Sequence, residues 1–228
     1  MTKRMPIHMY KINDYDVFVF DFDGTIMDTE RYHYLSWKKT IQEFIPDFNI
    51  SEDDYFKYSH NLDKSTFKNY LNDTYGLNNY DILYQKKGSH YNEFVKMRIH
   101  MFIGNIEMFL QKICTHKNKK ELVMVTNSSI SSIQLFVDLI PQLSVFNKIY
   151  TRENFTNRKP NPECYQKIVE LYPNKRIVGF EDSNVGVHAL CQVPQITPFH
   201  IKPAKYYYND RIQKKYTITS IENYDCFE

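Results

Sequence analysis

The sequence predicts an α/β fold, a parallel sheet sandwiched by helices and interrupted once by an all-helical insert. Three observations carry this reading. Short, continuous apolar runs end abruptly in polar clusters, as strands buried on both faces do. Amphipathic helical patterns fill the stretches between those runs. One stretch, Glu30 to about Phe102, holds helical patterns and no convincing buried strand. The chain of 228 residues is 42% hydrophobic and 25% charged, long enough for one large domain or a core with a modest insert.

In chain order, the first strand is Val17-Phe18-Val19-Phe20, followed at once by Asp21. The insert comes next, with helix-like groups at Trp37, Ile41 and Phe44, at Phe67, Tyr70 and Leu71, and at Tyr91, Phe94, Val95 and Met97. Ile106, Phe109, Leu110 and Ile113 form a helical face before a second strand, Leu122 to Val125, which ends in Thr126-Asn127-Ser128. A helix through Ile133 and Phe136 leads to a weaker strand at Val145 to Thr151. Pro160 and Pro162 precede a helix carrying Tyr165, Ile168, Val169 and Tyr172. Arg176 to Phe180 is the third strong strand, ending in Glu181-Asp182-Ser183, and Gln195 to His200 is a further weak one.

Composition removes several function classes. The glycines are Gly24, Gly76, Gly88, Gly104, Gly179 and Gly186, so neither a G-x-G-x-x-G fingerprint nor a Walker-type phosphate loop is present. The net charge of +2 lacks the basic excess of a dedicated nucleic-acid binder. Cys114, Cys164, Cys191 and Cys226 are far apart and make no C-x-x-C, which argues against a zinc ribbon or a disulfide scaffold. No H-E-x-x-H occurs, and no apolar run approaches the ~18 residues of a membrane span. The polar segment Met1 to Asp16 has no signal-peptide core. We expect a cytoplasmic, reduced, monomeric protein with no nucleic-acid or membrane partner.

In an open α/β sheet, ligands bind at the carboxyl ends of the strands. Here those ends carry Asp21-x-Asp23-Gly24-Thr25, Thr126-Asn127-Ser128 and Glu181-Asp182, with Lys159 in the loop before a helix. Thr126-Asn127-Ser128 alone is ordinary cap chemistry. The Asp21 group is not, since its four fixed positions should arise by chance in about one of seven hundred chains of this length. Carboxylates converging on one edge repel one another unless a cation sits between them, and an oxygen-only donor set suits Mg2+ better than zinc. A cation, an ammonium, a hydroxyl and backbone N–H groups together make a phosphoryl site, with one carboxylate left as nucleophile and a second as acid and base.

These residues resemble the haloacid dehalogenase superfamily. Phe20-Asp21-Phe22-Asp23-Gly24-Thr25 looks like its first motif and Val125-Thr126-Asn127 like the second. Lys159-Pro160-Asn161-Pro162 is similar to the third, and Gly179-Phe180-Glu181-Asp182-Ser183 to the fourth. The resemblance implies a Rossmann-like catalytic core at 1–29 and 103–228 and a small helical cap domain at 30–102. It implies that Asp21 forms an aspartyl-phosphate and that Asp23 protonates the leaving oxygen, then deprotonates water. Thr126 would bind the phosphoryl oxygens, with Phe22, Gly24, Thr25, Asn127 and Ser128 around the phosphate and His33 on the substrate side. Lys159 would offset the charge of Asp21 and the phosphate. Asp21, Asp182 and the carbonyl of Asp23 would bind Mg2+, and Glu181 a metal-bound water.

An acid at Asp23 points to phosphatases and phosphomutases, and Asp28-Thr29-Glu30-Arg31-Tyr32-His33 is similar to the β-phosphoglucomutase-like branch. Mutases of that branch carry a G-x-S-R stretch in the cap. The corresponding Ser59-His60-Asn61-Leu62-Asp63-Lys64 has neither the glycine nor the arginine. Lys64 could supply a point charge but not a bidentate fork. The expected activity is therefore hydrolysis of a small phosphorylated metabolite, with a sugar phosphomutase as the alternative. A non-catalytic relative would be expected to lack Asp21 or Asp23, and both are present.

Overall fold

Strand β1 (Val17–Phe20) lies inside the sheet and is buried along its whole length. It belongs to a computed structural model that describes residues 9–59, 64–97, 102–202, 216 and 218–228. The other strands are β2 (Glu121–Val125), β3 (Lys148–Tyr150), β4 (Ile177–Glu181), β5 (Ile196–Ile201) and β6 (Thr219–Ile221). The helices are α1 (Thr29–Gln42), α2 (Glu52–Ser59), α3 (Lys64–Tyr75), α4 (Tyr80–Lys96), α5 (Ile106–Cys114), α6 (Ile130–Leu139), α7 (Glu163–Leu171) and α8 (Asn184–Cys191). Among the described residues the strands form one parallel, Rossmann-like sheet in the order β3-β2-β1-β4-β5-β6. The chain divides into two compact units, Met1–Met27 with Phe102–Glu228, and Asp28–Met101.

The alternation Val-Phe-Val-Phe in β1 sorts the sheet unit into two unlike faces, because successive side chains of a strand point to opposite sides. Val17 and Val19 join Val123, Val125, Ile177 and Ile196 in an aliphatic layer with Tyr165 and Ile168 of α7 and Leu190 of α8. Phe18 and Phe20 face the other way, onto Phe109 of α5, with ring centroids 6.0 and 6.1 Å apart. The register aligns Phe20 with Phe180, and Phe180 with Phe199. Those rings stack at 4.7 and 5.6 Å. Such pairs are worth about 1 kcal/mol beyond the area they bury, so the strand ends that carry the polar clusters rest on a stiff aromatic floor.

The polar residues after β2 and β4 also start helices. Ser129 Oγ accepts from the Ser132 N–H at 3.3 Å at the head of α6, and Ser183 Oγ from the Gly186 N–H at 3.1 Å at the head of α8. The weak strands expected near Val145 to Thr151 and Gln195 to His200 are β3 and β5. Strand β6 and helix α2 have no counterpart in the sequence reading.

In the Asp28–Met101 unit, α1 packs on α4. Trp37 is 5% exposed and packs against Phe67 and Tyr80, with centroids at 5.2 and 5.4 Å. Phe44 and Met97, expected on apolar helix faces, are exposed because they lie just past the ends of α1 and α4. Lys39–Glu93 and Lys86–Glu43 pairs at 2.8 and 2.6 Å bridge the two helices at the surface. Residues 60–63, within the stretch that lacks the mutase arginine, lie outside the described residues. No helix among the described residues is long and apolar enough to cross a membrane.

At the other end of the sheet unit, Asp16 stitches the start of β1 to the start of β4. Its carboxylate accepts from the backbone N–H, Nε and Nη2 of Arg176 at 3.0 to 3.2 Å. The Arg176 side chain and then its backbone N–H hold the Asp16 carboxyl down at about 2, against an ordinary 3.8. The folded-state value is depressed, so this contribution is complete above about pH 4 and is lost as the pH falls toward 2. After screening at this partly exposed position, Asp16→Asn is expected to cost about 1 kcal/mol at pH 7. Urea titrations from pH 7 to pH 3 should show the gap between variant and wild type closing below about pH 4.

Candidate active site

The strand order β2-β1-β4 sets three carboxyl ends side by side. Asp21 follows β1, Thr126 follows β2, and Glu181 closes β4 with Asp182 next. Carboxylate oxygens of Asp21, Glu181 and Asp182 all lie within 4.8 Å of one another, and all three residues are buried.

Lys159 reaches into this trio from the loop before α7. Its Nζ donates to Asp21 Oδ1 at 2.7 Å, to Glu181 Oε1 at 2.5 Å and to the Val125 carbonyl at 2.8 Å. An ammonium has three N–H donors, and here each has an acceptor. Burial alone would lower the Lys159 pKa, but the charges of Asp21 and Glu181 outweigh it and hold the value above the ordinary lysine range. Burial pushes the Asp21 carboxyl well up, and the Glu181 charge adds to this while Lys159 opposes it. Burial does the same to Asp182, followed by the charges of Asp21 and Glu181.

Two glycines make the crowding possible. Gly24 has φ +78°, and a Cβ there would stand 2.1 Å from Asp182 Oδ2. A Cβ on Gly186, in the first turn of α8, would stand 1.9 Å from Glu181 Oε2. That Oε2 is buried and has no hydrogen-bond partner among the described residues. Thr25 Oγ1 donates to Asp182 Oδ1 at 3.2 Å, and His200 Nε2 donates to the Asp182 carbonyl at 3.0 Å. Burial lowers the His200 pKa to about 4, so its ring is neutral near pH 7 and Nε2 carries the proton toward the carbonyl.

The side chain of Asp23 stands apart from the trio. Its Oδ2 accepts from Ser128 Oγ at 2.5 Å and from Thr126 Oγ1 at 3.3 Å, and Thr126 Oγ1 accepts from the Ser128 N–H at 3.0 Å. Two acids two positions apart thus sit in different surroundings. Asp21 is held by an ammonium, and Asp23 by hydroxyls.

The remaining residues singled out from the sequence are placed as follows. The Phe22 ring is buried against Phe136 at 5.0 Å, so its backbone is the part left for a ligand. Asn127, expected beside the phosphate, spends its amide on Lys159. Its Nδ2 donates to the Lys159 carbonyl and its Oδ1 accepts from the Lys159 N–H, both at 3.2 Å. His33 lies on α1 in the Asp28–Met101 unit, where its ring stacks on Tyr91 at 4.5 Å and Nδ1 lies 2.5 Å from Lys87 Nζ.

Sequence reasoning missed Tyr165, Gly186 and His200. Tyr165 is fully buried and its hydroxyl donates to Glu181 Oε1. It reads in the sequence as one ring of an apolar helix face. The signal was its hydroxyl, which needs a partner once buried. His200 had a fainter one, a polar residue closing an apolar strand on the same edge as the acids.

The trio offers oxygen donors only, and one ammonium offsets three carboxylates. The arrangement could hold a metal ion, and the unmatched Glu181 Oε2 and the repulsion within the trio both fit a hard cation close by.

A model of the haloacid dehalogenase-like hydrolases matches residues 18–189. Among solved structures, a haloacid dehalogenase-like protein of unknown function from Agrobacterium tumefaciens is 17% identical, with a TM-score of 0.72 over 92% of this chain and 94% of that one. A predicted phosphoglycolate phosphatase from Haemophilus somnus is 16% identical, with a TM-score of 0.70 over 91% and 94%. A β-phosphoglucomutase from Clostridium difficile is 19% identical, with a TM-score of 0.60 over 92% and 91%. At these identities the structural likenesses speak for the fold. The family match runs from β1 into α8 and takes in every strand end that meets at Lys159, and on that footing the chain belongs to the haloacid dehalogenase-like hydrolases.

Proposed function

We propose that this protein is a Mg2+-dependent phosphomonoester hydrolase that works through an aspartyl-phosphate on a small phosphorylated metabolite. The observation that carries the reading is the contrast between Asp21, bonded to the Lys159 ammonium, and Asp23, bonded to Ser128 and Thr126.

In the first half-reaction an Asp21 carboxylate oxygen bonds to phosphorus as the ester P–O bond breaks, and Asp23 gives a proton to the departing alkoxide. In the second, water gives a proton to Asp23 while its oxygen bonds to phosphorus. The Asp21–phosphorus bond breaks, and inorganic phosphate and free Asp21 result. Lys159 keeps one Asp21 oxygen fixed and screens the charge that gathers around phosphorus. Thr126 and Ser128 hold Asp23 in one orientation for both proton transfers. Asn127 fixes the Lys159 backbone, and Tyr165 and Lys159 together fix Glu181. Mg2+ bound by Asp21, Asp182 and the Asp23 carbonyl, with Glu181 on a coordinated water, would supply the positive charge that the carboxylate trio and the phosphoryl group lack. Residues 30–102 would serve as the cap that selects the substrate, with His33 on its substrate side.

The test is hydrolysis of a generic aryl phosphate with Mg2+. Asp21→Asn is expected to lower kcat by at least about 10^3-fold, because the covalent step is lost. Equal rates for Asp21→Asn and wild type would sink the assignment. Asp23→Asn should lose turnover while its circular-dichroism spectrum and thermal midpoint stay near wild type. A chelator should abolish the wild-type rate, and added Mg2+ should restore it.

The alternative, a sugar phosphomutase, draws on the Asp28-to-Lys38 stretch. Incubation with a hexose 1-phosphate and a trace of bisphosphate separates the two readings. Hydrolysis is expected to release inorganic phosphate, whereas isomerised sugar phosphate without phosphate release would favour the mutase.

A further inference from the structure

Beyond the segment that matches the family model, 18–189, the chain returns to the active edge from below. Residues Tyr224–Glu228 pack back on the sheet unit. The Tyr10 N–H donates to the Cys226 carbonyl at 2.7 Å, the Ile12 N–H to the Glu228 carbonyl at 2.8 Å, and the Glu228 N–H to the Tyr10 carbonyl at 2.9 Å. Asn105 holds the same segment, accepting from the Tyr224 N–H at 2.8 Å and donating to Asp225 Oδ1 at 2.5 Å. This clasp drives the Tyr224 ring into the aromatic floor, stacked on Phe109 with centroids 5.0 Å apart and edge-on to Phe180 at 5.5 Å.

Rings from Phe18, Phe20, Phe180, Tyr224 and Phe227 all pack on Phe109, and among these Tyr224 alone bears a hydroxyl. Phenylalanine would fill the same space, so the hydroxyl is not there for packing. It donates to the Thr25 carbonyl at 2.9 Å, inside the loop between Asp21 and Met27. That loop closes on itself through the Ile26 and Met27 N–H groups on the Phe22 carbonyl, both at 3.0 Å, and through the Gly24 N–H on the Met27 carbonyl at 2.7 Å. The Thr25 carbonyl is left out of this internal pattern, and Tyr224 supplies its donor. From the same residue, Thr25 Oγ1 reaches Asp182 Oδ1 at 3.2 Å.

We propose that Tyr224 is a positioning residue for Asp182, acting through Thr25, so that the C-terminal segment is a working part of the metal-binding edge. The thread runs Tyr224 hydroxyl, Thr25 carbonyl, Thr25 hydroxyl, Asp182 carboxylate. It sets which way Oδ1 points in a pocket where the bare Gly24 leaves the room that Oδ2 takes up. Groups that orient a metal-binding side chain from behind typically change metal affinity about 10- to 100-fold when removed.

The inference rests on the Mg2+-dependent hydrolase reading, and two measurements keep the two separable. Calorimetric titration of the substrate-free full chain with Mg2+ reports affinity without turnover. Steady-state hydrolysis of an aryl phosphate reports kcat and KM. Wild type that neither binds Mg2+ nor hydrolyses the ester overturns both proposals. With wild type active, Tyr224→Phe is expected to weaken Mg2+ binding by about tenfold and to lower kcat with KM little changed. Wild-type affinity and kcat in Tyr224→Phe would overturn the role of Tyr224 and leave the hydrolase reading standing, even if the thermal midpoint fell. Thr25→Val reads the same thread from its other end and serves if Tyr224→Phe does not fold. Where both fold, the double variant is expected to bind Mg2+ no more weakly than Thr25→Val alone. Fully additive losses would show that the two residues do not act in series.

Discussion

Lys159 is buried with three N–H donors to place, and the acceptors it finds lie at the ends of three strands. Asp21 ends β1, the Val125 carbonyl ends β2, and Glu181 ends β4. A buried ammonium is tolerated only when it is paired and fully hydrogen-bonded, and a buried carboxylate has the same need. The ion therefore acts as a rivet. Removing it would leave Asp21 and Glu181 buried without compensation, a loss typically of about 3–5 kcal/mol. The surrounding contacts read as consequences of this need. Asn127 pins the Lys159 backbone from the end of β2, and Tyr165 takes up the second donor position on Glu181 Oε1. One ammonium faces three carboxyl groups, and burial with their mutual repulsion pushes Asp21 and Asp182 up, so a cation close by would favour the ionised trio.

Space limits the site as firmly as charge does. The carboxylates of Asp182 and Glu181 sit where a β-carbon would be on Gly24 and Gly186. Beneath them, the stacked row Phe20-Phe180-Phe199 and the aliphatic layer on the opposite face leave little room for the strand ends to shift. The acids are held close by a packed platform, so their mutual repulsion is a property of the folded chain before any ligand arrives.

Much of this could be read from the sequence, and what could not has definite physical reasons. The run Val17–Phe20 followed by Asp21 declares both a buried strand and its polar end, and the same logic exposed Thr126 and Asp182. Spacing fixes which strand end a residue occupies, but not its rotamer. Spacing therefore puts Asn127 at the end of β2, but it does not foretell the two bonds of its amide to the Lys159 backbone. Apolar patterning counts rings and ignores their polar atoms, so Tyr165 looked like core and Tyr224 was not singled out, yet both are core with a hydroxyl aimed at the site. Strand β6 spans three residues, too few to register as an apolar run. Helix α2 opens with Glu52, Asp53 and Asp54, which reads as solvated chain although it is a favourable first turn. The Tyr206-Tyr207-Tyr208 run lies outside the described residues.

The helical unit holds the chain's one tryptophan, Trp37, buried between Phe67 and Tyr80. The sheet unit, for all its phenylalanines and tyrosines, has no indole at all. Red-edge excitation, which selects indole over phenol, therefore gives an emission signal that originates in residues 28–101 alone. The fluorescence maximum and quenching of the native protein become a built-in optical probe of one unit, and loosening of the helices can be followed without attaching a dye.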